Sequence, residues 1–539
     1  MDGDIRAPGG PRNTAPAGGP VTHHCRPESM RGWAPAGDRG EARRRWRGRM
    51  ARQSPAVLVA TKPAPVVHER VDERVVPRLS VSTGSVVGDM ASRLRTTVVA
   101  SAASEEDRAL AERSPDGVTV RAAGGQEIRV RLVRHAPETL STERYGLTTE
   151  VLWHTMHNLW DRWSAPSFDR ASRRAWESLH ALNQDITEAL LAQSPGAGSG
   201  YLIHDYQLGM VPARLRRADP TARVLFFHHI AWPGPEGLAL LPRQFADDLL
   251  RGMLGADVVC FFARRWCRNF LRCVEDLVPG ARVDHDAGTV RLGGREVRVA
   301  AEPLSYSPDA LKGLPRSWPK ELDAWVGERP LVVHSGRTDP IKNAHRAVAA
   351  FRIAAEHPAA ADARLLLRIN PHRLHIGANA AYLRMTEEAV AEANRHFGEE
   401  RVRLLTGNDR GLTFGALARA DAVVLNSTAD GQNLTAFEAI AMGAREPVLV
   451  VSHTCGAGEV LGDGALRVHP HDLVDQADAL VEALTMTPSR RTAASRVLHE
   501  AAARFALPHW TERQLGLLGI DMPESARAAV PAAGRAHDA

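Results

Sequence analysis

Ten short apolar runs, each followed by a turn or a helix-like segment, dictate what this chain can fold into. AVLVAT (56–61), EIRVRLVRH (127–135), GYLIHDY (200–206), ARVLFFHHI (222–230) and DVVCFFA (257–263) form one group. LVVHSG (331–336), RLLLRIN (364–370), RVRLLTG (401–407), AVVLNST (422–428) and PVLVVSH (447–453) form a second. Most of these runs are continuous rather than alternating, as strands buried on both faces must be. Helical patterns such as 173–193 and 242–252 separate them. Strand–helix alternation twice over predicts an α/β chain with two doubly wound, Rossmann-like domains. Ligands then belong in the crevice at the carboxyl ends of the strands.

The length of 539 residues fits two or three domains rather than one core. The expected boundaries are an extension at 1–52, a first domain at 53–308 and a linker at 309–329. A second domain follows at 330–488, then a helix packing back onto the first at 489–520 and a frayed tail at 521–539. The net charge of +5 is misleading, because residues 1–52 hold eleven arginines against five acids. The remainder is therefore nearly neutral, which argues against a nucleic-acid binder. The extension is rich in Gly, Pro, Ala and Arg and cannot bury enough apolar surface to order itself. Met50 directly before the first strand is an alternative start, and a basic partner-binding arm is an alternative role for the segment. Five cysteines without a CxxC pair suit a reducing compartment. No apolar run reaches the ~18 residues of a membrane span, and the N-terminus lacks a signal-peptide core. A cytoplasmic protein is expected, with no nucleic-acid or membrane partner, and a homodimer is one of the open oligomeric states.

Polar clusters fall at the strand ends. His204, Asp205, Tyr206 and Gln207 follow GYLI, and His228 and His229 follow VLFF. Arg337 and Lys342 follow LVVHSG, with Pro340 stiffening the loop between them. Arg368, Asn370, His372 and Arg373 follow LLL; Asn408 follows RLLTG; residues 426–433 follow AVVL. One such cluster would be an ordinary structural feature, but clusters on both halves favour a shared cleft. Two isolated cations read equally as a solvated basic loop or as a diphosphate clamp, with arginine as planar fork and lysine as compact charge. Asp430 and Gly431 form a turn before a helix that begins near Asn433, whose Leu434, Phe437 and Ile440 share one face. Free N–H groups of Asn433, Leu434 and Thr435 would face an anion. Glu438 one turn later could accept from ribose hydroxyls, although a surface helix charge is the simpler reading.

In order along the chain, HDYQL (204–208), HHIAWP (228–233), RTDPIK (337–342), DGQNLTAFE (430–438) and GAGEVL (456–461) resemble the signature segments of the trehalose-6-phosphate synthase family. These are retaining glycosyltransferases with two facing Rossmann-like domains, and the resemblance runs from about residue 55 to 518. RWCRNFL (265–271), HSGRTDPIKN (334–343), NSTADGQNL (426–434) and the WDRW-x-x-PSF run (160–168) are more similar still to its pseudoglycosyltransferase, validoxylamine-forming branch. Typical members of the family have Leu, Gly and Met where Thr338, Asn343 and Gln432 stand. The resemblance implies an acceptor-binding first domain and a nucleotide-donor-binding second one. It implies a GDP-activated cyclitol (GDP-valienol) as donor, an aminocyclitol phosphate (validamine 7-phosphate) as acceptor, and a C–N bond formed with retention.

Carried over by position, Asp205, His229, Arg337 and Lys342 would be catalytic. Arg337, Lys342, Arg368, Asn370, Asn408, Thr413, Asp430, Gly431, Gln432, Asn433, Leu434, Thr435 and Glu438 would surround the nucleotide and donor. Asp205, Tyr206, His229, His372, Arg373 and Lys62 would meet the acceptor. Two departures stand out. Thr61–Lys62–Pro63 replaces the family's strand-end arginine, and lysine cannot reproduce bidentate contacts. Val81 and Ser82 stand near the family's Gly-Gly pair. No acidic cluster has metal-ligand spacing, so no metal and no cofactor are expected. The competing readings are a trehalose-6-phosphate synthase acting on nucleotide-glucose and glucose 6-phosphate, and an inactive sugar-phosphate sensor.

Overall fold

The structure is a computed structural model that describes residues 56–522, apart from 81–82, 122–126, 195, 197, 307–310 and 312. The basic extension, the Val81–Ser82 loop and all but the first two residues of the expected tail therefore lie outside the described residues. No described helix is long and apolar enough to cross a membrane.

The first half builds strands β1 (Val57–Pro63), β2 (Val66–Val71), β3 (Arg74–Leu79), β4 (Thr97–Ser101), β5 (Val118–Arg121) and β6 (Glu127–Val133). It continues with β7 (Gly200–His204), β8 (Arg223–Phe227), β9 (Val258–Phe261), β10 (Arg282–Asp284), β11 (Thr289–Leu292) and β12 (Arg295–Ala301). All but β2 and β3 join one sheet in the order β10-β11-β12-β9-β8-β7-β1-β4-β6-β5. Its centre is parallel, and antiparallel pairs close the two ends. Successive residues of the central strands feed opposite cores. Leu58, Ala60, Tyr201, Ile203, Val224 and Phe226 pack on one face; Val59, Leu202, Leu225 and Phe227 pack on the other. Period-two geometry with helices on both faces is why these runs are apolar throughout.

The second half builds β13 (Leu331–Arg337), β14 (Arg364–Asn370), β15 (Val402–Thr406), β16 (Ala422–Leu425), β17 (Val448–Ser452) and β18 (Ala465–Val468). They form a fully parallel sheet in the order β15-β14-β13-β16-β17-β18. Order reverses beside β13, so the crevice is expected where Arg337 ends. Both sheets match the expected α/β class with two Rossmann-like units.

Helices that border the site are α1 (Arg264–Leu277), α2 (Thr435–Met442), α3 (Pro488–Arg504) and α4 (Leu507–Leu517). The stretch read as a linker is ordered in its second half: Lys320–Val326 is a helix whose Leu322 and Val326 are buried. Its apolar positions are spaced for one helical face, which outweighed the flanking prolines. The chain returns from α3 into α4, and outgoing Ser305 pairs with returning Phe505 and Ala506. Trp510 of α4 is fully buried against the first sheet and donates its indole N–H to the Glu302 carbonyl at 3.0 Å.

Candidate active site

The carboxyl ends of β1, β7 and β8 lie in register, Thr61 beside His204 and His204 beside Phe227. His204 Nδ1 and His229 Nε2 are 2.9 Å apart. Burial pushes His204 and His228 down to about 3, and burial with its two histidine neighbours holds His229 well below the usual range. All three rings are therefore neutral at pH 7, so between His204 and His229 one N–H donates to one lone pair. Asp205 is buried with a left-handed φ of 87°. Its Oδ1 accepts from the Tyr206 N–H at 2.9 Å. With the Gln207 amide nitrogen turned toward it, both carboxylate oxygens also accept from that side chain, at 3.0 and 3.2 Å. A carboxylate held this firmly presents fixed acceptors to a ring hydroxyl.

These histidines carry a pH signature. The free rings titrate near 6.5, the folded His204 and His228 rings near 3 and the folded His229 ring well below 6.5, so the unfolded chain binds more protons throughout that window. Stability then rises with pH across it. The melting temperature is expected to fall steadily below pH 6.5, and His228→Gln is expected to flatten that fall; an unchanged slope counts against a buried neutral ring.

On the second sheet, Lys342 Nζ meets Asp430 Oδ2 at 2.5 Å, with both side chains largely buried. Burial alone would raise the Asp430 carboxyl, but the Lys342 ammonium, its hydrogen bond, His157 and Arg337 hold it below the ordinary range. Asp430 therefore stays ionised, and Lys342 stays localised at the mouth of the loop. Arg337 is 42% exposed and 3.7 Å from Asp339. Its guanidinium stands 5.8 Å from the Trp153 ring centre, and that of Arg373 stands 5.2 Å from the same ring. Trp153 comes from the first half and donates to Asp339 Oδ1 at 3.3 Å. Beside it, the His157 ring lies tilted with its centre 4.2 Å away and stands near Asp339, Asp430 and Lys342.

Sequence reasoning missed Trp153 and His157. They follow a π-helical stretch, Arg144–Leu152, whose wider turn rotates the next residues off any 3.6-residue pattern. The only signal was a Trp and a His four residues apart, which reads equally as core.

Asp430–Gly431–Gln432 touches the first half directly. A Cβ on Gly431 would lie 2.7 Å from the His229 carbonyl oxygen and 2.9 Å from Ile230 Cα, so only glycine permits this approach. Helix α2 begins at Thr435 rather than Asn433; Asn433 is left-handed, φ 69°, and breaks the helical path. At the start of α2 the Ala436 and Phe437 N–H groups bond the Asn433 and Leu434 carbonyls at 3.2 and 3.0 Å, so it is the Thr435 N–H that suits an anion. Glu438 is 18% exposed and 3.7 Å from Arg410. Burial raises its carboxyl, with Arg410 and Lys342 opposing. It is therefore a largely buried group, not the surface charge of the simpler reading. Asn370 Oδ1 and Asn433 Oδ1 are buried without hydrogen-bond partners, acceptors that a ligand could use.

Several expected contacts are placed differently. The Gln432 side chain donates to the Leu304 carbonyl at 2.8 Å, binding the two halves together. Arg368 spends its guanidinium on the carbonyls of Leu405, Gly407 and Asp409, because buried arginine must satisfy its N–H groups locally. Thr413 Oγ1 bonds the Asp409 carbonyl within its own helix turn. Asn408 is exposed beside these residues, and Leu434 is half-buried behind the helix start. Lys62 is half-buried at the end of β1. Tyr206 Oη donates to the Thr148 carbonyl at 2.9 Å. His372 is clasped by Thr338, whose buried Oγ1 accepts from the His372 N–H at 2.6 Å and donates to its carbonyl at 2.8 Å. This clasp precedes Arg373, itself left-handed at φ 52°. Asn343 has φ 63°, a conformation that suits glycine and is tolerated by asparagine. Its Nδ2 ties the Asn426 and Pro470 carbonyls. Thr338, Asn343 and Gln432, the positions that depart from the typical family pattern, are thus buried loop staples.

The model of glycosyltransferase family 20 matches residues 65–519. The chain belongs to glycosyltransferase family 20. It is 42% identical over 469 residues to the validamine 7-phosphate valienyltransferase of Streptomyces hygroscopicus subsp. jinggangensis, covering 86% of this chain and 94% of that relative. To the trehalose-6-phosphate synthase of Mycobacterium avium it is 27% identical, over 74% of this chain and 82% of the other. Among solved structures, the UDP-forming alpha,alpha-trehalose-phosphate synthase of Burkholderia vietnamiensis shares its fold. The TM-score is 0.69 at 21% identity, covering 86% of this chain and 100% of that one.

Proposed function

We propose that this glycosyltransferase joins a GDP-activated valienol-type cyclitol to an aminocyclitol phosphate, validamine 7-phosphate or a close analogue, with retention. The 42% identity to a valienyltransferase across 94% of that relative carries the reading. The Lys342–Asp430 pair and Arg337 at the crevice support it chemically.

The donor diphosphate lies between Arg337, Lys342 and the start of α2. As the bond from the ring carbon to the diphosphate oxygen breaks, the two cations and the Thr435 N–H take up the charge that develops. The acceptor nitrogen supplies its lone pair from the face the diphosphate leaves. Its proton passes to a departing phosphate oxygen, and GDP is released with the C–N bond formed. Arg373, beside Trp153, holds the acceptor phosphate, and Asp205 and His229 hold ring hydroxyls. Among the described residues, no group of three or more His, Cys, Asp or Glu side chains is arranged to hold a metal. Contact between Gly431 and His229 excludes water and aligns the two reactants.

The test follows nucleotide release from purified protein. GDP is expected from GDP-valienol with validamine 7-phosphate, and not from GDP- or UDP-glucose with glucose 6-phosphate. Release only from the glucose pair would establish trehalose 6-phosphate synthesis instead, and binding without release would establish a sensor.

A further inference from the structure

The RWCRNFL segment has no part in the chemistry above, yet it opens α1 at the carboxyl end of β9, the edge of the first sheet that faces the second half. The N-cap position of α1, Ala263, offers no side-chain cap. Glu459 of the second half supplies it: its two carboxylate oxygens accept from the Arg264 and Arg265 N–H groups at 2.8 and 3.1 Å. Arg265 donates to the His453 carbonyl, also of the second half. One residue on, the buried Trp266 donates its indole N–H to the Gly431 carbonyl at 3.1 Å. The Arg265 guanidinium lies 5.1 Å from the Trp266 ring centre and backs it.

We propose that Trp266 is a positioning residue for the nucleotide donor, acting through the Gly431 carbonyl to set the loop that carries Asp430. The role rests on the donor site proposed above. Gly431 joins Asp430, the partner of Lys342, to Gln432 and Asn433, which lead into α2. The loop's other ties are Gln432 to Leu304, Lys342 and Ser427 to the Asp430 carboxylate, and three backbone bonds: Asp430 N–H to the Thr454 carbonyl, Gly456 N–H to the Asp430 carbonyl and Ala457 N–H to the Gln432 carbonyl. Of the three carbonyls at 430–432, that of Gly431 is the one held from the first half. Removing the indole N–H leaves it buried and unsatisfied, and the loop can then drift by tenths of an ångström. Lys342 and the helix start drift with it. Glu459 contributes by fixing the helix from which Trp266 projects.

Trp266→Phe keeps most of the ring and deletes the N–H. Titration calorimetry with GDP alone is expected to show affinity roughly 3- to 10-fold weaker, the range of one lost hydrogen bond. Steady-state rates are expected to show a higher donor KM and a lower kcat, while acceptor KM and melting temperature move little. Wild-type GDP affinity in the variant overturns the role. So does a loss shared equally by donor KM, acceptor KM and melting temperature, which marks a purely structural residue. Should that variant not fold, Glu459→Ala, which uncaps α1 from an exposed position, is expected to weaken GDP in the same way; unchanged affinity overturns the role. The wild-type arm separates the two readings. If the wild type binds GDP but does not turn over GDP-valienol, the proposed reaction fails while the ratio of affinities still judges Trp266.

Discussion

Arg337→Ala is expected to lower turnover about 10²- to 10³-fold, the loss typical of removing one preorganised charge-stabilising donor, while the fold survives. The side chain is 42% exposed and its partner Asp339 is 3.7 Å away. An ion pair that open and that long contributes little to stability, so melting temperature is expected to stay near wild type. Asp339 keeps its bond from Trp153 and is not stranded. The loss therefore falls on the step in which diphosphate charge grows. Arg337→Lys is expected to recover part of it, since lysine restores charge without the two-pronged fork. GDP release under saturating donor is the measurement, and near-normal release by Arg337→Ala would remove the residue from the mechanism.

Gly431→Ala is expected to cost turnover by roughly 10²-fold, the scale set by displacing reacting groups by about an ångström. Its φ is not in the left-handed region, so the backbone tolerates alanine. What does not tolerate it is the neighbour: the new Cβ would sit 2.7 Å from the His229 carbonyl oxygen and 2.9 Å from Ile230 Cα. Both are backbone atoms and cannot swing aside, so the donor loop and the histidine loop must part. Gly377→Ala serves as the control, because a Cβ there meets nothing within 4 Å. It should leave GDP release unchanged, whereas Gly431→Ala with wild-type release would show that the two loops need not touch.

The two substitutions differ in what sequence could reveal. Arg337 was legible because a strand end before a helix is a recognisable place and a cation there is conspicuous. Gly431 was legible as a turn residue and, through the resemblance, as a donor neighbour; its contact with His229 joins segments some two hundred positions apart. Gln432 shows the limit more sharply. The family resemblance implied a donor contact there, but side-chain direction depends on the left-handed turn at Asn433 and on Leu304 lying within reach. Arg368 was read as a ligand group for the same reason. It became a staple because three carbonyls of the 405–409 loop surround it.

Trp153 and His157 were lost to a different cause. A π-helical stretch shifts register without altering composition, so no periodicity reports it. Trp266 and Trp510 are core aromatics by burial. Their indole N–H groups nevertheless reach carbonyls of Gly431 and Glu302, far away in the chain.

Sequence alone determined the parallel centres of the two sheets, because unbroken apolar runs bounded by turns leave a chain few other ways to bury both faces of its strands. It also determined which polar residues stand at the strand ends, and hence where a cleft would open. Tertiary structure alone decided which of those residues stand at the crevice and which turn to fasten one loop to another. A buried polar group must find a partner, and the partners of Gln432, Thr338 and Trp266 come from segments that only folding brings within reach.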